Sequence, residues 1–226
     1  MQPYFLPYIG YWQLLAAADH FVVYDNIKYT KKGWINRNRF LRNGEAAIFT
    51  LPLKKDSDAL DVADRWLADD FEPAALLKPL EAAYRKAPFF ATVFPLLETV
   101  FNAAPRNLFQ YLLHSVRATA AFLDIRTPIT VSSTIPIDHG LKAGEKVLAI
   151  CKALGATRYV NAIGGRELYS RDDFAGHRIE LRFIQSRPIA YRQYDHPFVP
   201  SLSIADVMMF NSKDATRAML AAYDLV

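Results

Sequence analysis

The chain has 226 residues, 27 Lys and Arg against 23 Asp and Glu, and 52% hydrophobic residues, a balance that excludes disordered, collagenous and low-complexity classes. A chain of this length buries roughly 70% of its unfolded surface without covalent staples. Its one cysteine, Cys151, excludes an internal disulfide and a CxxC metal site and fits a reducing cytoplasm.

The net charge of +4 is dispersed, with no Lys/Arg run of the kind that binds nucleic acid or an anionic membrane. The opening MQPYFLPYIGYWQLLAAAD has no early cation and carries two prolines inside its apolar stretch, so it is not a secretory signal. No apolar run approaches the roughly eighteen residues of a membrane span. A soluble, cytoplasmic protein without membrane insertion is expected.

In chain order, Tyr11 to Ala18 reads as a short helix. Phe21–Asp25 is an apolar, β-branched run closed by a carboxylate, as a buried parallel strand would be. A polar stretch over 26–45 follows, with a turn at Asn43-Gly44 across which Ala46–Leu53 pairs back with Arg39–Arg42. Three helices are predicted next: one started by Pro73 and running to about Lys86, one over about 89–102, and one from Pro105 to near Asp124. They form a helical insertion at about 72–124.

Beyond it the pattern alternates: strand Pro128–Ser133, helix Gly144–Leu154, strand Arg158–Ala162, turn Gly164-Gly165, a short helix within 166–175, and strand Arg178–Gln185. That alternation predicts an α/β fold, a Rossmann-like doubly wound parallel sheet carrying the inserted helical region within one domain. Ile204–Phe210 and Asp214–Leu225 close the chain as helices.

Ligands bind at the carboxyl ends of parallel strands. That rule selects Asp25, Ser132 and Ser133 with Asp138 beyond them, and Asn161 with Gly164 and Gly165. The diglycine before Arg166-Glu167 would present backbone N–H groups to an anion, although a tight connection needs glycine for steric reasons alone. Segment 28–39, KYTKKGWINRNR, concentrates five cations, two aromatics and two amides. It reads as a phosphate- or carboxylate-binding loop, with Arg37 or Arg39 bidentate, Lys31 or Lys32 a point charge and Trp34 stacked on a ligand ring. A solvated cationic hairpin edge, with Trp34 stapled to the core, is the alternative.

The five histidines are scattered with no HxH or HxxxH pair, so no metal site is expected. Neither GxSxG nor GxxxxGK[ST] occurs. Cys151 reads as a small core residue, and Asp206 as a capping or structural group.

The segments Gln2–Tyr11 (QPYFLPYIGY), Gly33–Arg39 (GWINRNR), Tyr159–Tyr169 (YVNAIGGRELY) and Leu202–Asn211 (LSIADVMMFN) together resemble the WbqC-like family over essentially the whole chain. The resemblance implies a place in bacterial O-antigen or other surface-polysaccharide synthesis, with a glycine-transferase role suggested for some members. It also implies an apolar first strand ahead of Gln2-Pro3, of which only Met1 is present here. More faintly, the opening resembles the HIGH-type turn of nucleotidylyltransferases, with Tyr8-Ile9-Gly10-Tyr11 holding tyrosines where the histidines would stand. Tyrosine donates a hydrogen bond but carries no positive charge, so cations for a nucleotide would come from elsewhere, such as the 28–39 loop.

Two expectations follow. The first is a transferase moving an acyl or aminoacyl group, such as glycyl, to a nucleotide-linked amino sugar. There Gln2, Tyr8 and Gly10 line the first turn, Lys32, Trp34, Asn36 and Arg37 bind substrate and its phosphates, and Asp25, Asp138 or Glu167 serves as general base. ATP or another nucleotide with Mg is the cofactor such chemistry would use. The second is a non-catalytic protein that binds a nucleotide sugar or scaffolds a pathway. Nucleic-acid binding ranks last, for want of an extended basic face.

Overall fold

In the computed structural model, which describes residues 1–226, an irregular ribbon over 1–8 leads into helix α1 (Ile9–Ala17) and strand β1 (Phe21–Val23). Buried Leu6 bends this ribbon with φ 43°, in the left-handed region that a leucine adopts only where its surroundings over-determine it. They do so here. The Leu6 carbonyl accepts from Asn38 Nδ2 at 2.9 Å and from Ser203 Oγ at 2.8 Å, and the Trp12 indole donates to the Pro7 carbonyl at 3.0 Å.

The expected hairpin forms from β2 (Arg37–Arg42) and β3 (Glu45–Thr50), with Arg42 opposite Glu45. Asn43 at φ 52° and Gly44 at φ 78° supply the two left-handed residues that a two-residue turn between twisted strands requires. The three predicted helices follow as α2 (Pro73–Tyr84), α3 (Phe90–Phe101) and α4 (Leu108–Phe122). They share a core with the ribbon and hairpin: the Phe5 ring meets Phe49 of β3, Phe101 of α3 and Tyr111 of α4 at centroid distances of 5.7, 5.2 and 5.8 Å.

Strand β4 (Ile129–Val131), helix α5 (Ala143–Ala153), strand β5 (Arg158–Ala162), helix α6 (Arg171–Gly176) and strand β6 (Glu180–Ser186) then alternate as expected. The short helix anticipated within 166–175 divides into a 3-10 turn over Ile163–Leu168 and α6. Helices α7 (Ile204–Phe210) and α8 (Lys213–Leu220) follow. The tail differs from expectation: α8 stops at Leu220, and β7 (Tyr223–Leu225) pairs antiparallel with β6, Leu225 opposite Ile184.

The architecture is mixed α/β, and the single doubly wound parallel sheet is not formed. Its pieces are present: β1 pairs parallel with β4, Phe21 opposite Ile129, and β5 pairs parallel with β6, Arg158 opposite Glu180. Between β1 and β5 no strand joins the two pairs; a slot of about 510 Å³ lies there instead.

Asp206 is part of the packing. Fully buried in the first turn of α7, its carboxylate accepts from Tyr84 Oη at 2.9 Å, Tyr191 Oη at 2.6 Å and Gln193 Nε2 at 2.7 Å. Tyr84 Oη in turn accepts from the Leu41 N–H at 2.9 Å, so one carboxylate ties α7, α2, β2 and the 187–203 segment together. Burial raises the Asp206 pKa, and the three donors oppose that rise.

Candidate functional site

The polar groups that gather at the strand ends come from three elements. The parallel register of β1 and β4 carries Asp25 and Ser133 to the same level past the last paired residues, Val23 and Val131. There Asp25 accepts at Oδ1 from Ser132 Oγ (2.8 Å) and the Ser133 N–H (3.0 Å), and at Oδ2 from Ser133 Oγ. These bonds outweigh the desolvation of a nearly buried carboxyl and hold it below its ordinary pKa, as an anion. Ser132 Oγ also lies 2.7 Å from Asn26 Oδ1; its single proton goes to the stronger acceptor, the carboxylate.

Asn26 extends the cluster. Its Nδ2 meets His139 Nδ1 at 2.9 Å, and His139 Nε2 meets the Ile135 carbonyl at 3.1 Å, so neither imidazole nitrogen is free. The Asn26 carbonyl accepts from Lys146 Nζ at 3.3 Å. Lys146 rises from the first turns of α5, is 8% exposed, and lies with its ammonium 5.5 Å from the Tyr24 ring centroid. No carboxylate stands within ion-pair distance of it. Beside it the amino end of α5 has no side-chain cap. A cation with one acceptor for its three donors, next to the uncapped positive end of a helix, is an arrangement that attracts an anion. Burial and the neighbouring Tyr169 phenol raise the Tyr24 pKa, so this part of the crevice is walled by neutral phenols.

Of the residues selected from sequence, the structure brings Asp25 and Ser132 into contact, whereas Gln2 is exposed and its Oε1 accepts from Tyr4 Oη at 2.9 Å. The Met1 carbonyl accepts from the Tyr24 N–H at 2.9 Å, which delivers Gln2 to the end of β1. Asp138 is exposed and caps its own loop, accepting from the Gly140 N–H at 2.8 Å. Glu167 is exposed, without a hydrogen bond or ion pair. Asn161 caps the next residue, its Oδ1 accepting from the Ala162 N–H at 2.8 Å. A Cβ on Gly165 would stand 2.8 Å from Asn161 Nδ2, whereas Gly164 faces open space; only the second glycine is sterically required.

The 28–39 loop forms a second group. Trp34, 39% exposed, lies between the guanidinium carbons of Arg37 at 5.5 Å and Arg39 at 5.3 Å. Arg37 also donates to the Gly33 and Lys32 carbonyls, and Arg39 to the Ser201 carbonyl. Asn36 is buried with both ends of its amide used, accepting from Tyr29 Oη and donating to the Leu51 carbonyl. Lys32 is exposed, and the exposed Tyr8 ring covers Gly10, where a Cβ would stand 2.5 Å from it. No hydrogen bond or ion pair joins this group to the Asp25 crevice. No set of three or more His, Cys, Asp or Glu side chains is placed to hold a metal ion.

The model of the WbqC-like protein family matches residues 2–218, which include every crevice residue named above. The chain belongs to the WbqC-like protein family. A protein of Mycobacterium tuberculosis described as uncharacterized is 27% identical over 216 residues, which cover 93% of this chain and 91% of that one. No solved structure matches. This WbqC-like chain therefore shares its sequence pattern along almost its whole length with a relative whose name assigns no substrate.

Sequence reasoning missed Lys146, Asn26 and His139 as members of the crevice. A signal for Lys146 was present. It stands one helical turn before Ile150 on α5, a position on the apolar face where a solvated lysine is not expected.

Proposed function

We propose that the chain binds a phosphate-bearing small molecule, a nucleotide or nucleotide sugar, in the crevice at the ends of β1 and β4, and that it serves surface-polysaccharide synthesis in the cytoplasm. The observation that carries this reading is Lys146, an almost buried ammonium with no carboxylate partner beside the uncapped end of α5. The ligand's anion supplies the missing charge, and the Asn26 backbone carbonyl aims the ammonium. The polysaccharide setting rests on the family resemblance alone.

A second reading is a transferase that moves an acyl or aminoacyl group, such as glycyl, to the amine of a nucleotide-linked sugar, with ATP and Mg activating the donor. The exposed Ser133 hydroxyl on the Asp25 carboxylate favours it, as a paired hydroxyl and anion facing solvent. Against it, Asp25 is weakened as a base by its three donors, and Asp138 is spent on its own loop.

A thermal-shift screen against ATP, CTP, UDP-sugars and dTDP-sugars, with and without Mg, tests both. A ligand at about 100 times its Kd stabilises by roughly 2.7 kcal/mol, a rise of about 5–10 °C for a chain of this size. A shift from a nucleotide sugar supports binding, and release of a nucleotide or diphosphate on adding donor and acceptor supports transfer. No shift with any of them overturns the reading.

A further inference from the structure

The β2–β3 hairpin has one closed edge and one open one. The Leu51 N–H donates to the Asn36 carbonyl at 2.8 Å, which fixes the alternation of the ladder: Glu45, Ala47 and Phe49 turn their backbone groups toward β2, and Ala46, Ile48 and Thr50 turn theirs away. The outer edge of β2 is closed. There the Leu41 N–H donates to Tyr84 Oη at 2.9 Å, and the Arg39 carbonyl accepts from the Ser203 N–H at 2.9 Å. The outer edge of β3 is closed only past the end of the strand. The Pro52 carbonyl accepts from the Ala68 N–H at 2.9 Å and the Lys54 N–H donates to the Trp66 carbonyl at 3.0 Å, so residues 66–68 run antiparallel beside 52–54. Opposite Ala46, Ile48 and Thr50 no strand lies, and their backbone groups have no partner within the chain.

This open stretch carries none of the devices that keep an edge from pairing. It holds no Pro, Gly, Lys or Arg, and its one charge, Glu45, stands at the turn opposite Arg42. Ala46 and Thr50 are exposed, and Ile48, 58% exposed, faces solvent at their centre.

We propose that the β3 edge pairs antiparallel with the β3 edge of a second copy of this chain, about a two-fold axis at Ile48. A second copy is the occupant because the edge matches itself. With Ile48 opposite its own counterpart, Ala46 falls opposite the partner's Thr50, so each outward-facing residue meets another and each such pair exchanges two backbone hydrogen bonds. No like charges are opposed, since Glu45 falls opposite the partner's Leu51. Either neighbouring register loses a pair. One sets the partner's Ala46 against Pro52, whose outer edge Ala68 already holds, and the other sets the partner's Thr50 against Gly44 in the turn. The stretch Ala46–Thr50 is neutral, and Arg37 and Arg39 of β2 lie over Trp34 and donate to backbone carbonyls, so the edge has no charge by which to select a peptide of either sign. The two hairpins then form one sheet in the order β2, β3, β3, β2, and each Ile48 is covered by the other.

The test is sedimentation velocity of the full chain over about 1–100 μM, with hydrogen exchange of the Ala46, Ile48 and Thr50 amides at both ends of that range. A species of twice the 25.6 kDa chain mass is expected at the upper end, with the three amides slowed by at least about tenfold relative to the dilute sample. Ile48→Lys sets two ammonium groups against each other at the axis and is expected to remain a monomer with the near-UV spectrum of the parent. Ile48→Pro removes only an outward N–H, leaves the ladder to β2 whole and is expected to weaken the dimer by at least about tenfold. A parent chain that is monomeric at about 100 μM overturns the proposal. So does a dimer whose three amides exchange as fast as in the dilute chain, which places the contact elsewhere. A folded Ile48→Lys chain that dimerises like the parent overturns it as well. Protection of the three amides in a monomeric chain by another, copurified protein assigns the edge to that protein and overturns it too.

Discussion

Replacing Lys146 by Met separates a ligand-binding cation from a structural one. The ammonium has three donors and one acceptor, the Asn26 carbonyl at 3.3 Å, and is 8% exposed. A buried donor without a partner costs about 1–3 kcal/mol, and replacing a buried ion with an apolar side chain of similar length is commonly neutral or stabilising by about 1–4 kcal/mol. Residual exposure lowers the gain, and Lys146→Met is expected to stabilise the ligand-free chain by about 1–3 kcal/mol. For a chain of 226 residues that is a Tm rise of roughly 2–12 °C. The same change removes a charge-assisted bond to the anion, about 1.5–3 kcal/mol, and weakens affinity roughly tenfold or more. Differential scanning fluorimetry with and without a titrated nucleotide sugar reads both quantities on one sample. A Met variant less stable than the parent by about 1 kcal/mol, or one with an unchanged ligand response, would refute the reasoning, because the ammonium would then serve the fold and not a ligand.

Asp206→Asn puts an amide N–H₂ where one of three donors now finds a carboxylate oxygen, and a loss of about 1–3 kcal/mol, or roughly 2–12 °C in Tm, is expected by thermal unfolding. With its pKa raised by burial, Asp206 gives stability that is full below its unfolded pKa and lost as pH rises through the folded one, so the Asn variant is expected to lose that slope in a urea series across pH 3–7. Asp25 has the opposite sign: its hydrogen bonds lower the pKa, so its stability is present above the unfolded value and lost as pH falls through the folded one. Asp25→Asn is expected to flatten the decline below about pH 4 in acid unfolding. The Met1 amine, held at about 5 against an ordinary value near 8, makes the 1–226 chain gain stability as pH rises between those values; N-terminal acetylation is expected to abolish that gain in a urea series across about pH 4–9.

The pieces of the fold were legible where local chemistry decides them. The Asn43-Gly44 turn, Pro73 at the start of α2, and the apolar runs of β1 and β5 each name their own conformation. The single sheet inferred from their alternation was not, because a sheet is a statement about pairing and pairing needs a strand on each side. The alternation named the strands but not their partners, and it carried no information on the distance between the β1–β4 and β5–β6 pairs. The tail failed for a related reason. Tyr223–Leu225 can end a helix or add to an edge, and the exposed edge of β6 makes the second outcome the one that satisfies more backbone groups.

The crevice shows the same division between local and non-local information. Asp25 and Ser132 were visible as polar residues closing apolar strands, and a parallel register is enough to bring them together. Asn36 looked like a ligand group because it lies in a cationic loop, but a buried amide must satisfy both its ends, and Tyr29 and Leu51 do so within the fold. Lys146 was not singled out from sequence, and only the docking of α5 against Tyr24 and Asn26 turns it inward. The distinction is one of unmet valence. The Asn36 amide meets partners at both ends within the chain, and Arg37 and Asp138 spend part of their capacity on nearby backbone, so their types alone said little. Lys146 is a buried cation with one acceptor for its three donors and no carboxylate partner. The proposed anion site therefore rests on α5, while the arginines of the 28–39 loop also meet Trp34 and backbone carbonyls.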